Sequence, residues 1–319
     1  MAVSPRLDKR KPHCQTSVSR MAPYLPVNEV IRMSRLISLC LLALGLHTVT
    51  GAAELGGTLQ RIADTGEFRI GYVPDAPPMS FHDADGKPVG YSLALCRNIA
   101  AAARTAVGID KIDISYVPLA SMEDRIGAVE NGTVDIECGA TTVTLSRRER
   151  VDFSLLTFIT GAAVLSRKSS PINTIQDLSG KTVAVIKGTT TDTELRNFVT
   201  NNEYKISLRI IATHDEGMQL LNDEKVDGYA SDRAMLVGQV FRSADRSQYA
   251  LTRDVFSFEP YALTLPRGDT SFRLVVDRAL ANLYRGARIR RLYHDWFGRY
   301  GEPMTPILEA MYEFQAVGE

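Results

Sequence analysis

The segment 139–150, GATTVTLSRRER, concentrates groups that could bind a small anion. It places three arginines behind a glycine and three threonines, in a chain whose basic and acidic side chains are equal in number at 37 each. Threonine hydroxyls and backbone N–H groups donate hydrogen bonds, and an arginine fork donates two parallel ones to a carboxylate. A solvated helix start is the plainer interpretation of an arginine run. The threonines favour anion binding.

Two polar positions farther along the chain extend this chemistry. The sequence KGTTT places Thr190 where a predicted strand gives way to a helix, and a helix N-terminus favours an anion. Asp232 ends the strand-like segment KVDGYASD and precedes a predicted helix. Threonine and aspartate are also common helix N-caps, so a purely structural role is the alternative for both residues.

The elements that must position these residues alternate in type. The apolar runs FRIGYV, IDISYVPL and VDIECG predict strands, and the segments between them carry apolar residues at helical spacing. The same order recurs from KTVAVIKG to KVDGYASD. Strands that alternate with helices favour mostly parallel sheets with covering helices, so the sequence predicts an α/β fold with two such units.

The two units end alike. Ala140 and Asp232 each lie five residues beyond a Val-Asp pair. Open α/β sheets bind ligands at the carboxyl ends of their strands, so both positions fall at ligand-binding edges. We therefore expect a binding cleft between two lobes.

The predicted organisation follows from these units and divides the chain into an N-terminal extension with a signal peptide (1–53), lobe 1 (54–142 plus 238–300), lobe 2 (143–237) and a C-terminal tail (301–319). The final helical segment, 269–301, is assigned to lobe 1, which would otherwise expose apolar surface. The chain then crosses between the lobes near 140–145 and again within 235–262, as a two-strand hinge.

The N-terminal segment is typical of a secretory signal peptide. Arg32 and Arg35 precede the apolar run LISLCLLALGL, and small residues follow it, with cleavage expected after Ala52 or Ala53. Eleven apolar residues are too few to span a bilayer. We therefore expect a soluble mature chain in the periplasm.

Composition narrows the possible functions. Without residues 1–52 the chain carries 30 basic and 35 acidic side chains, which gives no electrostatic case for binding nucleic acid. Metal-ligand spacings such as CxxC and HExxH are absent, so we expect no metal or other cofactor. Cys96 and Cys138 remain after cleavage, and either a disulfide or two buried thiols is compatible with the sequence. No oligomerisation signal is present, and a monomer is expected.

Six segments in a fixed order carry a family resemblance: VGYSLALCRNIA, RIGAVENGTVDIECGATT, SRRERVDFS, DLSGKTVAVIKGTTT, YASDRAML and YHDWFG. Over about Leu55 to Tyr300 the chain resembles the periplasmic amino-acid-binding proteins of ABC importers, solute-binding protein family 3, and most of all their glutamate/aspartate-binding branch. The resemblance implies the type II periplasmic-binding-protein fold, in which two doubly wound sheets joined by a two-strand hinge close on an amino acid. It also implies a membrane permease as partner.

The resemblance assigns a role to each polar residue of the cleft. Arg147 would bind the ligand's α-carboxylate, with hydroxyl and backbone N–H donors from Thr142 and Thr190. Asp232 would bind the α-ammonium, with help from the Ala140 carbonyl and the Thr142 hydroxyl. A site that desolvates a zwitterion needs such charge-matched partners on both sides.

The side-chain end of the site departs from the glutamate-binding branch. That branch has an arginine where Val73 stands and a histidine where Glu216 stands, whereas Arg125 is retained. If Glu216 faces the pocket, a second negative charge is disfavoured and a neutral amide such as glutamine or asparagine fits better than glutamate. The other interpretation of Glu216 is a helix-start residue that faces water. Phe81 and Tyr72 are candidates for an aromatic wall, with core packing as the alternative for both, and Thr141 is a further candidate ligand residue.

Two functions are compatible with this resemblance. The favoured one is a non-catalytic receptor that captures a glutamate-, aspartate- or glutamine-like amino acid and delivers it to an ABC transporter permease. The alternative is a periplasmic cyclohexadienyl (prephenate or arogenate) dehydratase on the same fold. That enzyme needs a general acid, for which Glu216 is the candidate.

Overall fold

The computed structural model describes residues 55–201 and 203–318 of the 319-residue chain. The predicted signal peptide within 1–53 lies outside the described residues. The strands are, in chain order, β1 (Glu67–Tyr72), β2 (Asp75–Ala76), β3 (Ser80–His82), β4 (Pro88–Val89), β5 (Asp113–Pro118), β6 (Ile136–Glu137), β7 (Val151–Thr160), β8 (Ala162–Arg167), β9 (Thr182–Ile186), β10 (Ser207–Ile211), β11 (Gly228–Asp232), β12 (Tyr249–Leu251) and β13 (Glu259–Pro266).

Helices follow most of these strands, as the alternating sequence pattern predicts. They are α1 (Gly57–Thr65), α2 (Tyr91–Val107), α3 (Met122–Glu130), α4 (Leu145–Arg148), α5 (Thr190–Thr200), α6 (His214–Asn222), α7 (Arg233–Arg242), α8 (Thr270–Tyr284), α9 (Ala287–Phe297) and α10 (Pro306–Gln315). Short 3₁₀ turns span Ile175–Leu178, Arg246–Gln248 and Gly298–Tyr300. No helix among the described residues is long and apolar enough to cross a membrane.

The first sheet has the strand order β5-β1-β6-β13-β7. Strand β1 pairs in parallel with β5 and β6, whereas β13 runs antiparallel to β6 and β7. Phe68 and Ile70 of β1, two residues apart and so on one face of the sheet, are fully buried in the core of lobe 1. This sheet, its helices and the small sheet β2-β3-β4 form lobe 1.

The second sheet, of lobe 2, repeats the arrangement with the order β10-β9-β11-β8-β12. Strands β10, β9 and β11 are parallel, and β8 and β12 add antiparallel. The two doubly wound α/β sheets of the prediction are therefore present. Their carboxyl ends carry the polar residues singled out in the sequence.

The strands that join the sheets lie elsewhere than the sequence indicates. Strand β7 pairs with β13 in the first sheet, although the predicted boundaries place residues 143–237 in lobe 2. The chain passes between the sheets at Gly161, between β7 and β8, and again between β12 and β13. A Cβ at Gly161 would lie 2.4 Å from the Ser257 carbonyl oxygen, so glycine lets the two crossing segments touch. The pairing of β7 with β13 joins residues about a hundred positions apart, and local periodicity does not reveal such a pairing.

The C-terminal helices return to lobe 1, as predicted from its otherwise uncovered core. Phe272 and Leu280 of α8 and Phe297 of α9 pack into the same apolar cluster as β1 and α2. The predicted single helix over 269–301 is broken at Gly286. The predicted tail also contains α10, whose Tyr312 hydroxyl lies 2.6 Å from that of Tyr91, both buried.

Cys96 of α2 and Cys138 after β6 form a disulfide, which decides between the two alternatives that the sequence left open. Both cysteines are fully buried. The bond ties the core helix of lobe 1 to the chain directly before Gly139 and Ala140. It therefore anchors the segment that carries the first predicted ligand residues.

Candidate functional site

A cavity lies between the lobes at the carboxyl ends of the strands, and both lobes line it. The predicted residues that line it are Val73, Arg125, Ala140, Thr142 and Arg147 of lobe 1 with Thr190 and Asp232 of lobe 2. Thr141, Phe81 and Glu216 do not line it.

Arg147 reaches the cavity from the short helix α4. Thr144 caps this helix, since its hydroxyl accepts the Arg147 backbone N–H at 3.2 Å. The guanidinium Nη1 donates to the Thr142 carbonyl at 2.7 Å, which fixes the side chain. Among the described residues no carboxylate lies within 4 Å of Arg147 as an ion-pair partner. Burial, and then the charge of Arg125, lower the pKa of Arg147 to about 10, so it stays charged at neutral pH.

The neighbouring arginines are placed differently. Arg150 pairs with Glu123 and Glu130 on the outer surface. Arg148 is exposed, with its guanidinium 5.5 Å from the centre of the Phe153 ring. Both residues lie on the surface, and the three arginines are therefore not equivalent.

Asp232 ends β11 and precedes α7, yet its carboxylate makes no capping bond to that helix. It accepts instead from the Tyr261 hydroxyl of lobe 1 and from the Thr191 hydroxyl at 3.3 Å. Burial, and then the nearby Glu259 carboxylate, raise the pKa of Asp232 to about 7. Burial also raises the pKa of Tyr261, which keeps its hydroxyl a donor at neutral pH. The capping interpretation of Asp232 is wrong.

Glu259, at the start of β13, is a buried carboxylate that the sequence interpretation missed. It is 1% exposed, and its Oε2 accepts from the Thr142 and Thr190 hydroxyls at 2.6 Å each. Its Oε1 accepts from the Ser257 hydroxyl, also at 2.6 Å. Because Thr142 belongs to lobe 1 and Thr190 to lobe 2, one carboxylate joins the two lobes at the hinge.

The three threonines of KGTTT make different hydrogen bonds at the N-terminus of α5. Thr189 is the N-cap, with its hydroxyl accepting the Asp192 N–H at 3.1 Å. This capping role leaves Thr190 and Thr191 free to bond Glu259 and Asp232. The first backbone N–H groups of a helix have no acceptor inside it, so those at the start of α5 are available to an anion.

Arg125 lines the cavity but is held by a buried carboxylate. Its Nε donates to Glu137 Oε1 at 2.9 Å, and Glu137 is fully buried. Thr141 donates to the same carboxylate at 2.7 Å and accepts from Arg125. Thr141 therefore supports Arg125 from below and does not line the cavity, because its hydroxyl donates to Glu137 and accepts from Arg125.

Glu216 and Phe81 lie outside the cavity lining, contrary to the prediction. The Glu216 carboxylate accepts the Ala212 backbone N–H at 2.9 Å at the start of α6, which is the helix-start role left as the alternative. Phe81 packs edge-on against Trp296, with ring centres 6.0 Å apart. Val73 lies where predicted, held by Ser80, whose hydroxyl donates to the Val73 carbonyl at 2.9 Å.

His214 and Asp75 line the cavity in place of Glu216 and Phe81. His214 is the first residue of α6, and its Nδ1 lies 2.6 Å from the Tyr229 hydroxyl. Burial lowers the pKa of His214, which favours the neutral imidazole at neutral pH. Asp75 comes from the small sheet of lobe 1, and its Oδ2 accepts the His214 backbone N–H of lobe 2 at 2.8 Å.

The charged groups fall into two sets that share Arg125 as a neighbour. Glu259 and Arg147 influence the pKa of Asp232, and Asp75 influences that of His214, whereas the charge of Arg125 acts on both His214 and Arg147. We call the part of the cavity at Arg147, Asp232 and Glu259 the proximal end. The part at Asp75, Arg125 and His214 is the distal end. Among the residues described, no group of three or more His, Cys, Asp or Glu side chains could hold a metal ion.

The residues that sequence reasoning missed carry weak signals. Glu259 stands in FSFEPY, where no spacing rule marks it. Asp75 follows Val73 by two residues in a turn-rich segment, and only its contact with α6 distinguishes it. His214 could have been found, since it lies between a predicted strand and a predicted helix at a ligand-binding strand end.

Comparisons with known proteins agree with this architecture. The profile of the bacterial extracellular solute-binding proteins, family 3, matches residues 68–299. The L-glutamate/L-aspartate-binding protein of Pseudomonas aeruginosa is 32% identical over 274 residues, which cover 85% of this chain and 89% of that protein.

Solved structures share the fold. An ancestral arginine-binding protein bound to glutamine superposes with a TM-score of 0.65 at 26% identity, covering 73% of this chain and 98% of that one. The ancestral amino acid-binding protein AncCDT-1, a precursor of cyclohexadienyl dehydratase, gives a TM-score of 0.65 at 24% identity, covering 76% of this chain and 100% of that one. The second likeness shows the fold alone.

Proposed function

Because the chain belongs to the bacterial extracellular solute-binding proteins, family 3, we propose that it captures a polar amino acid between its lobes and delivers it to an ABC transporter permease. The ligand class is that of glutamate, aspartate and glutamine, of which the name of the Pseudomonas aeruginosa relative contains the first two. The protein would work as a monomer in the periplasm.

The observation that carries this proposal is a pair of opposite charges that face one cavity without meeting. Among the described residues, neither Arg147 nor Asp232 has an ion-pair partner within 4 Å. They come from different lobes, and both line the cavity. An amino-acid zwitterion supplies an anion and a cation a few ångströms apart, so one ligand satisfies both groups.

At the carboxylate side, Arg147 would donate from its unbonded guanidinium nitrogens. Its Nη1 is held by the Thr142 carbonyl, which leaves Nε and Nη2 for the ligand. Thr190 would add its backbone N–H at the start of α5. Its hydroxyl proton is directed to Glu259, so the backbone group and not the hydroxyl is the donor here.

At the ammonium side, Asp232 would accept one N–H of the ligand and the Ala140 carbonyl another. The Thr142 hydroxyl gives its proton to Glu259, and its oxygen lone pairs then face the cavity as an acceptor. Glu259 thus orients a hydroxyl that could otherwise either donate or accept. We expect the ligand ammonium to lower the pKa of Asp232 and keep it ionised.

Closure follows from the division of these groups between the lobes. Arg147 and Thr142 belong to lobe 1, and Thr190 and Asp232 to lobe 2. A ligand that contacts both sets binds the closed form better than an open one. It therefore shifts the hinge equilibrium by that difference in affinity.

Glu216, the candidate general acid of the dehydratase alternative, does not line the cavity. Glu216 accepts the Ala212 N–H outside the cavity lining, so it does not face a bound substrate. A dehydratase needs a group within hydrogen-bond reach of the leaving oxygen. The receptor function needs only the groups already placed in the cleft.

Thermal unfolding of refolded, ligand-stripped protein tests the proposal. A ligand that binds the folded state alone stabilises it by about 2.7 kcal/mol when present at a hundred times its Kd, so the midpoint must rise. We expect a rise with at least one polar amino acid and none with prephenate or arogenate. A midpoint unmoved by every amino acid contradicts the receptor function, and turnover of prephenate or arogenate establishes the enzyme instead.

A further inference from the structure

Asp75 is held in the distal end by bonds that cross between the lobes. Its carboxylate Oδ2 accepts the backbone N–H of His214 at 2.8 Å. Its backbone carbonyl accepts the side-chain amide of Gln239, a buried residue of α7, at 2.7 Å. Gly238 lies against the same segment, since a Cβ there would come within 2.1 Å of the Pro77 carbonyl oxygen. The position of Asp75 is therefore fixed by lobe 2.

The other carboxylate oxygen of Asp75 remains open to the cavity. Among the described residues Oδ1 has no hydrogen-bond partner, and Asp75 lines the cavity. An ionised carboxylate oxygen only accepts hydrogen bonds. A ligand group that approaches Oδ1 must therefore donate one.

The side chains at the distal end do not offset this charge, whereas the N-terminus of α6, whose His214 and Asp215 N–H groups lie 2.8 and 3.4 Å from Oδ2, offsets part of it. Arg125 is paired with the fully buried Glu137 at 2.9 Å, so its positive charge is already matched. The imidazole of His214 is buried against Tyr229, and burial lowers its pKa, which favours the uncharged form. Val73 contributes no charge. The net charge at the distal end is negative.

We propose that Asp75 determines the specificity of the site by selecting a side chain that carries a hydrogen-bond donor, an amide or a cation, and by disfavouring a second carboxylate. This inference rests on the proposed function, because it concerns the far end of a bound amino acid. It restricts the proposed ligand class to the amides glutamine and asparagine and adds basic amino acids to it. The sequence prediction reached a similar preference through Glu216, which does not line the cavity.

Isothermal titration with matched ligands tests the inference. Glutamine against glutamate, and asparagine against aspartate, compare an amide with a carboxylate of the same shape. Lysine, arginine and histidine supply cationic side chains, and leucine supplies an apolar one. We expect the best amide or basic ligand to bind at least about tenfold more tightly than either acid, because two poorly screened like charges repel strongly.

The variant Asp75→Asn removes the charge and keeps an oxygen that can accept the His214 N–H. We expect this variant to reduce the ratio of affinities between an amide ligand and its matching acid by about tenfold or more. Glu216→Gln is the matched control. It removes an acid at the N-terminus of α6, the helix that Asp75 contacts, but the Glu216 carboxylate lies outside the cavity. We expect that control to leave the ligand preference unchanged, and circular dichroism checks that both variants fold.

The outcomes separate this inference from the proposed function. Tighter binding of glutamate or aspartate than of their amides by wild-type protein overturns the inference and leaves the receptor intact. A best ligand with an apolar side chain, or an unchanged preference in folded Asp75→Asn, also overturns it. Failure of every amino acid to bind overturns the proposed function and the inference together. If Asp75→Asn does not fold, the wild-type comparison of acids with amides decides alone.

Discussion

Arg147 at the proximal end and Asp75 at the distal end are positioned by different means, although Asp232 and Glu259 of the proximal end also bond across the lobes. Arg147 is placed by the capped turn of α4 and by the Thr142 carbonyl, both local to its own lobe. Asp75 is placed by His214 and Gln239 of the opposite lobe. A group fixed by its own lobe is in place before the lobes close, whereas Asp75 acquires its surroundings from closure. In the proposed function, Arg147 can therefore bind the carboxylate of any amino acid before closure, and Asp75 can act on the ligand side chain only in the closed form.

The largest expected effect lies at the proximal end. Arg147→Ala leaves the ligand carboxylate without its cation, and we expect a loss of about 3–5 kcal/mol of binding free energy for every amino-acid ligand. Arg148→Ala is the matched control, because it removes an exposed arginine from the same helix. Titration calorimetry of both variants with the best wild-type ligand measures the difference. Equal affinities in the two variants would contradict the role of Arg147.

A smaller effect is the pH dependence of affinity. The folded-state pKa of Asp232 is raised from 3.8 to about 7, so the carboxyl group of the empty site is protonated below that pH. The ligand ammonium requires the ionised form, so affinity should fall as pH drops below about 7, approaching about tenfold per pH unit. The same linkage predicts proton release on binding between about pH 5 and 7. Calorimetry in buffers of different ionisation enthalpy measures that proton.

Two variants sharpen the pH prediction. Asp232→Asn should bind weakly and lose this pH dependence, since the titrating group is gone. Glu259→Gln removes the charge that, after burial, contributes most to raising the pKa of Asp232. We expect its affinity profile to shift to lower pH, even though the loss of hydroxyl orientation weakens binding. A profile unchanged in both variants would assign the titration to another group.

The sequence predicts the proximal end better than the distal end for a physical reason. Thr190 and Asp232 stand at junctions of strands and helices, which can be located from hydrophobic periodicity, whereas Arg147 is indicated by the family resemblance. Thr141 stands at a similar junction, but its hydroxyl is used by Glu137 and Arg125, a choice that depends on packing. The two alternating units and the return of the C-terminal helices follow from local patterns. The pairing of β7 with β13 does not, because it joins distant segments.

Glu216 shows why matching residues by sequence position can misplace a side chain by one face of a helix. It lies two residues from His214 on α6, and helix geometry turns a side chain by about 100° for each residue. An interpretation by sequence position alone therefore selects the wrong face of the helix as easily as the right one. The cavity lining contains His214, and the Glu216 carboxylate caps the start of the helix.

The smallest expected effect concerns the hydrogen bond from Gln239 that holds the backbone of Asp75. Gln239→Ala removes the amide that donates to the Asp75 carbonyl and leaves the Asp75 carboxylate in place. We expect a loss of about 1 kcal/mol in affinity, the typical net value of one hydrogen bond, and a similar loss for amide and acid ligands. Asp75→Asn should instead change the ratio between those ligands. If Gln239→Ala changes the ratio as strongly, the charge of Asp75 is not what selects the ligand.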